Sequence, residues 1–458
     1  MDFEKVWFNR GTIHVKKSKT SITMKITLGL NDYKYAQLNE TEPVFWDTDK
    51  VVNPHMLLVG KSGTGKTHTL RRLLHQMMRA GTNVRMHIFD VHGDISTEEM
   101  STVQFSESTA YGINPLEVYP DPDSGGVRKR IQSFISTIGS VRSIGERQEA
   151  VMRNLLTDLY RSHGFNPEDP ASWRIDDGIG RQPPKRHPTL HDLHGFAHVK
   201  LQQTFMGANS DATTALCELN GKQRRLAGFL KKNQGTLDDS QAGEMEKLKG
   251  NAINAFVKYV SNIESGWEFD DLLKYDSPEI LKSIYDRLGN LMAIGIFKNK
   301  KPPFDKGKNV WRYDITALNE DEKKLFVEFR LQEIYLEGTL GGPAGAGLTD
   351  VIVLDEAHLF FRDDSDGMIN KISREGRKFG LGLICASQST QHFSDDFMSC
   401  VGTKVILGID QSLWDGTMRK MKIERKALEH IKPKKTMAVN FSLSDDLKNA
   451  FTMVRIGL

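Results

Sequence analysis

Eight consecutive residues, Gly60, Lys61, Ser62, Gly63, Thr64, Gly65, Lys66 and Thr67, satisfy the pattern GxxxxGK[ST], and the chemistry of that pattern is the binding of nucleotide phosphates. Its glycines let backbone amides turn inward against phosphate oxygens, and a helix starting at its end adds a positive dipole. The Lys66 ammonium reaches the β and γ phosphates and the Thr67 hydroxyl ligates Mg²⁺. His68 follows directly and completes the candidate nucleotide-binding set. Hydrolysis of a bound Mg-ATP also needs an acidic metal ligand and a base for the attacking water. DVIVLDEAH supplies both: Asp355, closing the apolar run Val351 to Leu354, as the metal ligand, and Glu356 as the base. LGLICASQ ends on Gln388, a polar amide suited to sensing a γ-phosphate from the carboxyl edge of a sheet. Ser373 to Gly380 sets Arg374, Arg377 and Lys378 against the single acid Glu375, and phosphoryl transfer uses an arginine where charge builds. Asp90-Val91-His92-Gly93-Asp94 carries no second histidine or cysteine at ligand spacing, so it reads as a turn near the nucleotide rather than a zinc site.

These residues need elements to hold them. MLLVG reads as a strand, and Leu70, Leu73, Leu74, Met77 and Met78 recur at helical spacing before Gly81. VRMHIFD then returns as a strand, which makes a βαβ unit and predicts a parallel sheet. The sheet pattern resumes with VWRYDIT, a helix through LFVEFRLQEIYLEG, and the strands DVIVLD, LGLICAS and TKVILGI. Between them, GERQEAVMRNLLTDLYRSHG and EILKSIYDRLGNLMAIGIF carry apolar residues three and four apart. The reading is therefore an α/β chain in four parts. Residues 1–48 form a short β-rich extension and 49–116 the first part of the core. Residues 117–308 form a mainly helical insertion, and 309–458 the rest of the core with C-terminal strands.

Composition narrows the class. The 458 residues are 38% hydrophobic and 26% charged, ordinary globular values. The net charge of +3 is too balanced for overall basicity to indicate a nucleic-acid partner. No run approaches the roughly 18 apolar residues of a membrane span, and the N-terminus has no signal-peptide pattern. Three widely spaced cysteines support neither disulfides nor a structural zinc site, and fit a reducing cytoplasm. Local basic patches are the only candidates for contact with DNA. Met418 to Lys435 holds eight cations against two acids, and Lys222, Arg224, Arg225, Lys231 and Lys232, or Lys298, Lys300 and Lys301, are alternatives.

Taken in order, GKSGTGKT, DVHGD, GINPL, VIVLDEAH, SREGRKFGLGL and ASQ resemble the HerA branch of the HerA and FtsK family of hexameric DNA-pumping ATPases, over about residues 45 to 457. The resemblance implies a RecA-like core of the class with an additional strand and a catalytic glutamate. It also implies a homo-hexamer, ATP and Mg²⁺ at subunit interfaces, and double-stranded DNA moved through a central channel. By motif match, Lys66 and Thr67 bind nucleotide and metal, Asp355 holds Mg²⁺, Glu356 is the base and Gln388 the sensor. Arg377 becomes the arginine acting on the neighbouring subunit, with Arg374 and Lys378 as alternates. Archaeal HerA proteins begin with a substantial β-barrel, and about fifty residues here imply one that is reduced or absent. That leaves room for a nuclease or another effector partner and for a role in repair, mobile-element transfer or antiviral defence. A ring that scaffolds an effector, and a motor of the type IV secretion kind, are the competing readings.

Overall fold

The computed structural model describes residues 23–456 except 81–82, 176–184, 207–210, 233–238, 263–270, 272, 276, 346, 363–366 and 444–449. The first 22 residues of the β-rich extension lie outside the described residues. The chain separates into two compact units, Met1–Ser106 with Pro302–Leu458, and Glu107–Lys301.

The first unit is built on one sheet of eleven strands in the order β2-β1-β11-β10-β9-β3-β8-β7-β4-β6-β5. The strands are β1 Lys25–Asn31, β2 Pro43–Asp47, β3 Met56–Val59, β4 Arg85–Asp90, β5 Ser101–Gln104, β6 Val310–Asp314, β7 Asp350–Leu354, β8 Leu381–Ser387, β9 Thr403–Ile406, β10 Thr436–Phe441 and β11 Thr452–Arg455. From β9 to β5 every pairing is parallel. The central strands of this part, β3, β7 and β8, are buried at every residue, which is why each reads as a continuous apolar run instead of an alternation. The expected βαβ unit exists, but its two strands do not pair: β8 and β7 come between β3 and β4. The acidic strand β7 is likewise one removed from β3, so the sheet has the additional strand of the RecA-like class. On the other side, β10, β11, β1 and β2 continue the sheet antiparallel. The described strands before residue 48 are thus edge strands of the core sheet, joined to it through the C-terminal β11.

Helix α1, Lys66–Arg79, follows β3 and lies on one face of the sheet. Leu70, Leu73, Leu74 and Met77 are at most 1% exposed and pack with Leu58, Val405 and Val439. At roughly 2 kcal/mol per buried side chain this stripe fixes the helix axis, and with it the direction in which the helix N-terminus points.

The second unit is helical. It contains Val127–Val141, Glu146–Ser162, Leu190–Met206, Asp211–Lys232, Asp239–Ser261 and Pro278–Ala293. Residues 107–116, assigned above to the core, belong to this unit. The Gly112 amide donates to the Lys300 carbonyl at 3.0 Å, and Ile113 bridges to Phe297.

Candidate active site

Because the strands are parallel, β3, β8, β7 and β4 end at one edge of the sheet, in register Val59 with Ser387, Leu354 with Cys385, and Phe89 with Leu354. The candidate phosphate, metal and base residues leave the sheet there, whereas Arg374, Arg377 and Lys378 do not. The loop after β3 is held by its neighbours: the Gly60 amide donates to the Ser387 carbonyl at 3.1 Å and the Lys61 amide to the Gly408 carbonyl at 2.8 Å. Gly60 is required by close approach, since a Cβ there would meet Thr64 Oγ1 at 2.5 Å. Gly65 caps α1 with φ 100°, a left-handed conformation that side chains rarely adopt. Lys61, Ser62, Gly63 and His68 are exposed, whereas Thr64 and Lys66 are buried.

Lys66 and Glu356, 290 residues apart in the chain, meet at 3.1 Å between Nζ and Oε1, and each side chain is only 8% exposed. Gln388 Nε2 lies 3.4 Å from both carboxylate oxygens of Glu356. Glu356 itself has φ 49° and ψ 47°, a left-handed backbone that turns the chain directly after Asp355. Such a conformation is costly for a residue with a side chain and is held here by the surrounding contacts. Gln388 reaches Glu356 because β8 stands between the phosphate-loop strand and the acidic strand.

His358 was not read from the sequence as part of the site, yet its Nδ1 is 3.2 Å from Glu356 Oε2 and its ring stacks on His392. Burial, with His392 and Lys66 nearby, lowers its pKa against the pull of Glu356. The same Nδ1 lies 3.5 Å from Ser387 Oγ.

Asp90 and Asp94, read as part of a turn near the nucleotide, lie in such a turn, and the structure adds the neighbour it faces. Asp90, fully buried, accepts from the amides of His92, Gly93 and Ile95 and from Arg312 Nε at 2.8 Å. That turn carries Asp94 to Asp355, so that oxygens of Asp90, Asp94 and Asp355 lie within 4.8 Å of one another. Asp94 Oδ1 is buried without a hydrogen-bond partner among the described residues. Burial first, then the charges of Glu356, Asp94 and Asp90, push the Asp355 carboxyl up to about 6. A crowded all-oxygen set of this kind fits a hard divalent cation such as Mg²⁺. Asp355 and Asp94, with the Thr67 hydroxyl on the first turn of α1, are the residues that would hold it. Adjacency of β4 and β7 is what sequence spacing could not reveal.

A second addition is Lys434. Its amide donates to the Thr64 carbonyl at 3.3 Å, its backbone has φ 64°, and its Cγ is 3.6 Å from where a Gly65 Cβ would stand. The basic run from Met418 to Lys435 is accordingly not one continuous face. Arg419, Lys420 and Lys422 line a cleft between helices, Arg425 pairs with Asp415 at 3.5 Å, and Lys434 sits against the phosphate loop.

Arg377 lies in the turn Gly376–Phe379 that enters β8. It is exposed, and its guanidinium donates to the Val52 carbonyl. β8 runs from Leu381 to Ser387, so at about 3.3 Å per residue Arg377 is roughly 20 Å from the phosphate-loop edge of its own sheet. Arg374 and Lys378, equally exposed, leave the same end.

A family model described as the central domain of the helicase HerA matches residues 34–177. The DNA double-strand break repair helicase HerA of Sulfolobus acidocaldarius is 31% identical over 363 residues, covering 78% of this chain and 55% of that protein. Its counterpart in Sulfurisphaera tokodaii is 27% identical over 346 residues, covering 72% of this chain and 63% of its own. The chain is a HerA-like member of the HerA/FtsK family. It spans between half and two thirds of the length of these relatives. The structure of VirB4 from Thermoanaerobacter pseudethanolicus superimposes on the HerA-like chain with a TM-score of 0.59, at 15% identity, over 94% of this chain and 96% of that one. The shared fold is that of a RecA-like P-loop ATPase. Among the described residues no helix is long and apolar enough to cross a membrane.

Proposed function

We propose that this HerA-like chain is an ATP-driven motor that hydrolyses Mg-ATP at the boundaries between subunits of a ring and moves double-stranded DNA, acting with a nuclease or another effector. The observation that carries the reading is the convergence of Lys66, Glu356 and Gln388 at one sheet edge from three separate segments. In this arrangement Lys66 binds the phosphates and Glu356 accepts a proton from the attacking water. Gln388 and His358 hold the carboxylate in place. Mg²⁺, when bound, offsets charge on the β and γ phosphates. DNA as the substrate is supported by the HerA relatives, which are described as helicases of double-strand break repair. Subunit boundaries as the place of hydrolysis are supported by Arg377, which stands too far from its own phosphate loop to serve it.

The test is steady-state ATP hydrolysis with and without naked duplex DNA, for the wild type and Lys66→Ala. Duplex should stimulate the wild type, and the variant should lose nucleotide affinity and turnover together. Stimulation that appears only after a protein partner is added would replace the motor with a regulated scaffold.

A further inference from the structure

On the sheet face away from α1 there is a second candidate binding site. Val405 and Val439 pack on the α1 side, so the alternation of a strand turns Lys404 and its cross-strand neighbour Asn440 to the opposite face. Helices Asp395–Cys400 and Trp414–Met421 complete a cleft of about 730 Å³ whose lining includes Lys404, Asn440, Arg419, Lys420 and Lys422. Lys420 is tied to the protein through the carbonyls of Gln391 and Phe393. Lys404, Arg419 and Lys422 make no ion pair among the described residues. Asp395, the one acid of the lining, is exposed in the first turn of its helix and pairs with none of the four cations. Lys404 is half-buried on an internal strand, and burial together with the neighbouring Lys422 lowers its pKa. A lysine in that position is normally paired or kept out of a sheet face, because an uncompensated charge loses hydration there.

We propose that this cleft binds phosphate groups, with Lys404, Arg419 and Lys422 as the charged contacts and Asn440 beside them. Its size admits a phosphodiester segment as well as a free polyphosphate. Two sources present that chemistry, the DNA backbone and a soluble phosphate compound, and the first rests on the motor reading above.

Two measurements on the full chain separate the sources. Duplex binding is followed by fluorescence anisotropy across a salt series, and thermal stability is followed with pyrophosphate under saturating Mg-ADP, which occupies the phosphate loop. If the backbone fills the cleft, Lys404→Met shallows the slope of log K against log salt by about one. Lys404→Arg restores it, and ATP hydrolysis without DNA is unchanged. If a soluble phosphate fills it, the salt slope stays as in the wild type while the pyrophosphate-induced rise in Tm is lost in Lys404→Met. If neither measurement moves, the cleft is not a phosphate site. A wild type that binds no duplex refutes the motor reading alone, and the pyrophosphate arm still decides the cleft. Should Lys404→Met fail to fold, Lys422→Gln, at an exposed position, carries both measurements.

Discussion

Glu356→Gln removes a charge and keeps the shape, so its two consequences can be worked out separately. Lys66 and Glu356 are each 8% exposed and 3.1 Å apart, and removing one partner of a buried pair typically costs about 3–5 kcal/mol because the other charge is left uncompensated. The glutamine amide oxygen can still accept from Lys66, which puts the expected loss near the lower figure, about 3 kcal/mol. The left-handed backbone at this position suits Gln no better and no worse than Glu, so it adds nothing to the difference. In turnover, loss of a general base is expected to cost about 10²- to 10⁴-fold. The two effects respond oppositely to nucleotide. Phosphates give Lys66 a new anionic partner, so saturating Mg-ATP should erase most of the stability deficit while hydrolysis stays slow and ATP is retained. Urea denaturation with and without Mg-ATP, combined with single-turnover hydrolysis, reads both. Hydrolysis at the wild-type rate would remove Glu356 as the base. A stability deficit of the same size with and without ATP would refute the exchange of Lys66 between carboxylate and phosphate.

Arg377→Ala should lower turnover by about 10³-fold with ATP affinity of the isolated subunit nearly unchanged. Mixed rings of Arg377→Ala and Glu356→Gln, shown to exchange by co-purification of two tags, should regain hydrolysis at interfaces that pair an intact base with an intact arginine. No recovery in proven mixed rings would count against a simple action between neighbours. His55 is fully buried and accepts the Leu383 amide on Nδ1 at 3.1 Å; burial lowers its pKa from 6.5 to about 3. The unfolded chain therefore takes up this proton first, and stability present above pH 6.5 is lost progressively between pH 6.5 and 3, by about 2 kcal/mol at pH 5. In His55→Gln that contribution vanishes, so the stability difference between wild type and variant should fall from pH 7 to pH 5; a difference independent of pH would show that His55 does not titrate this way.

The phosphate loop, the acidic strand end and the Gln388 strand end were legible in the residues because each is local. A GxxxxGK[ST] run between a strand and a helix needs only neighbours in sequence, and fully buried parallel strands announce themselves as apolar runs. Helical spacing likewise marked α1 before the sheet it packs on was known. Long-range pairing was not legible. Strand order places β8 between β3 and β7, which lets Gln388 reach Glu356, and it places β4 beside β7, which makes Asp94 a neighbour of Asp355. Neither adjacency leaves a trace in spacing, because hydrogen bonds between strands are indifferent to the length of chain that joins them. For the same reason the early strands β1 and β2 extend the core sheet through β11, and Lys434 from the last part of the chain rests on a loop that begins at residue 60. The type of chemistry therefore belongs to the sequence. Which acids come together, which histidine lies beside Glu356, and which end of the sheet Arg377 leaves from were decided only when the chain closed on itself.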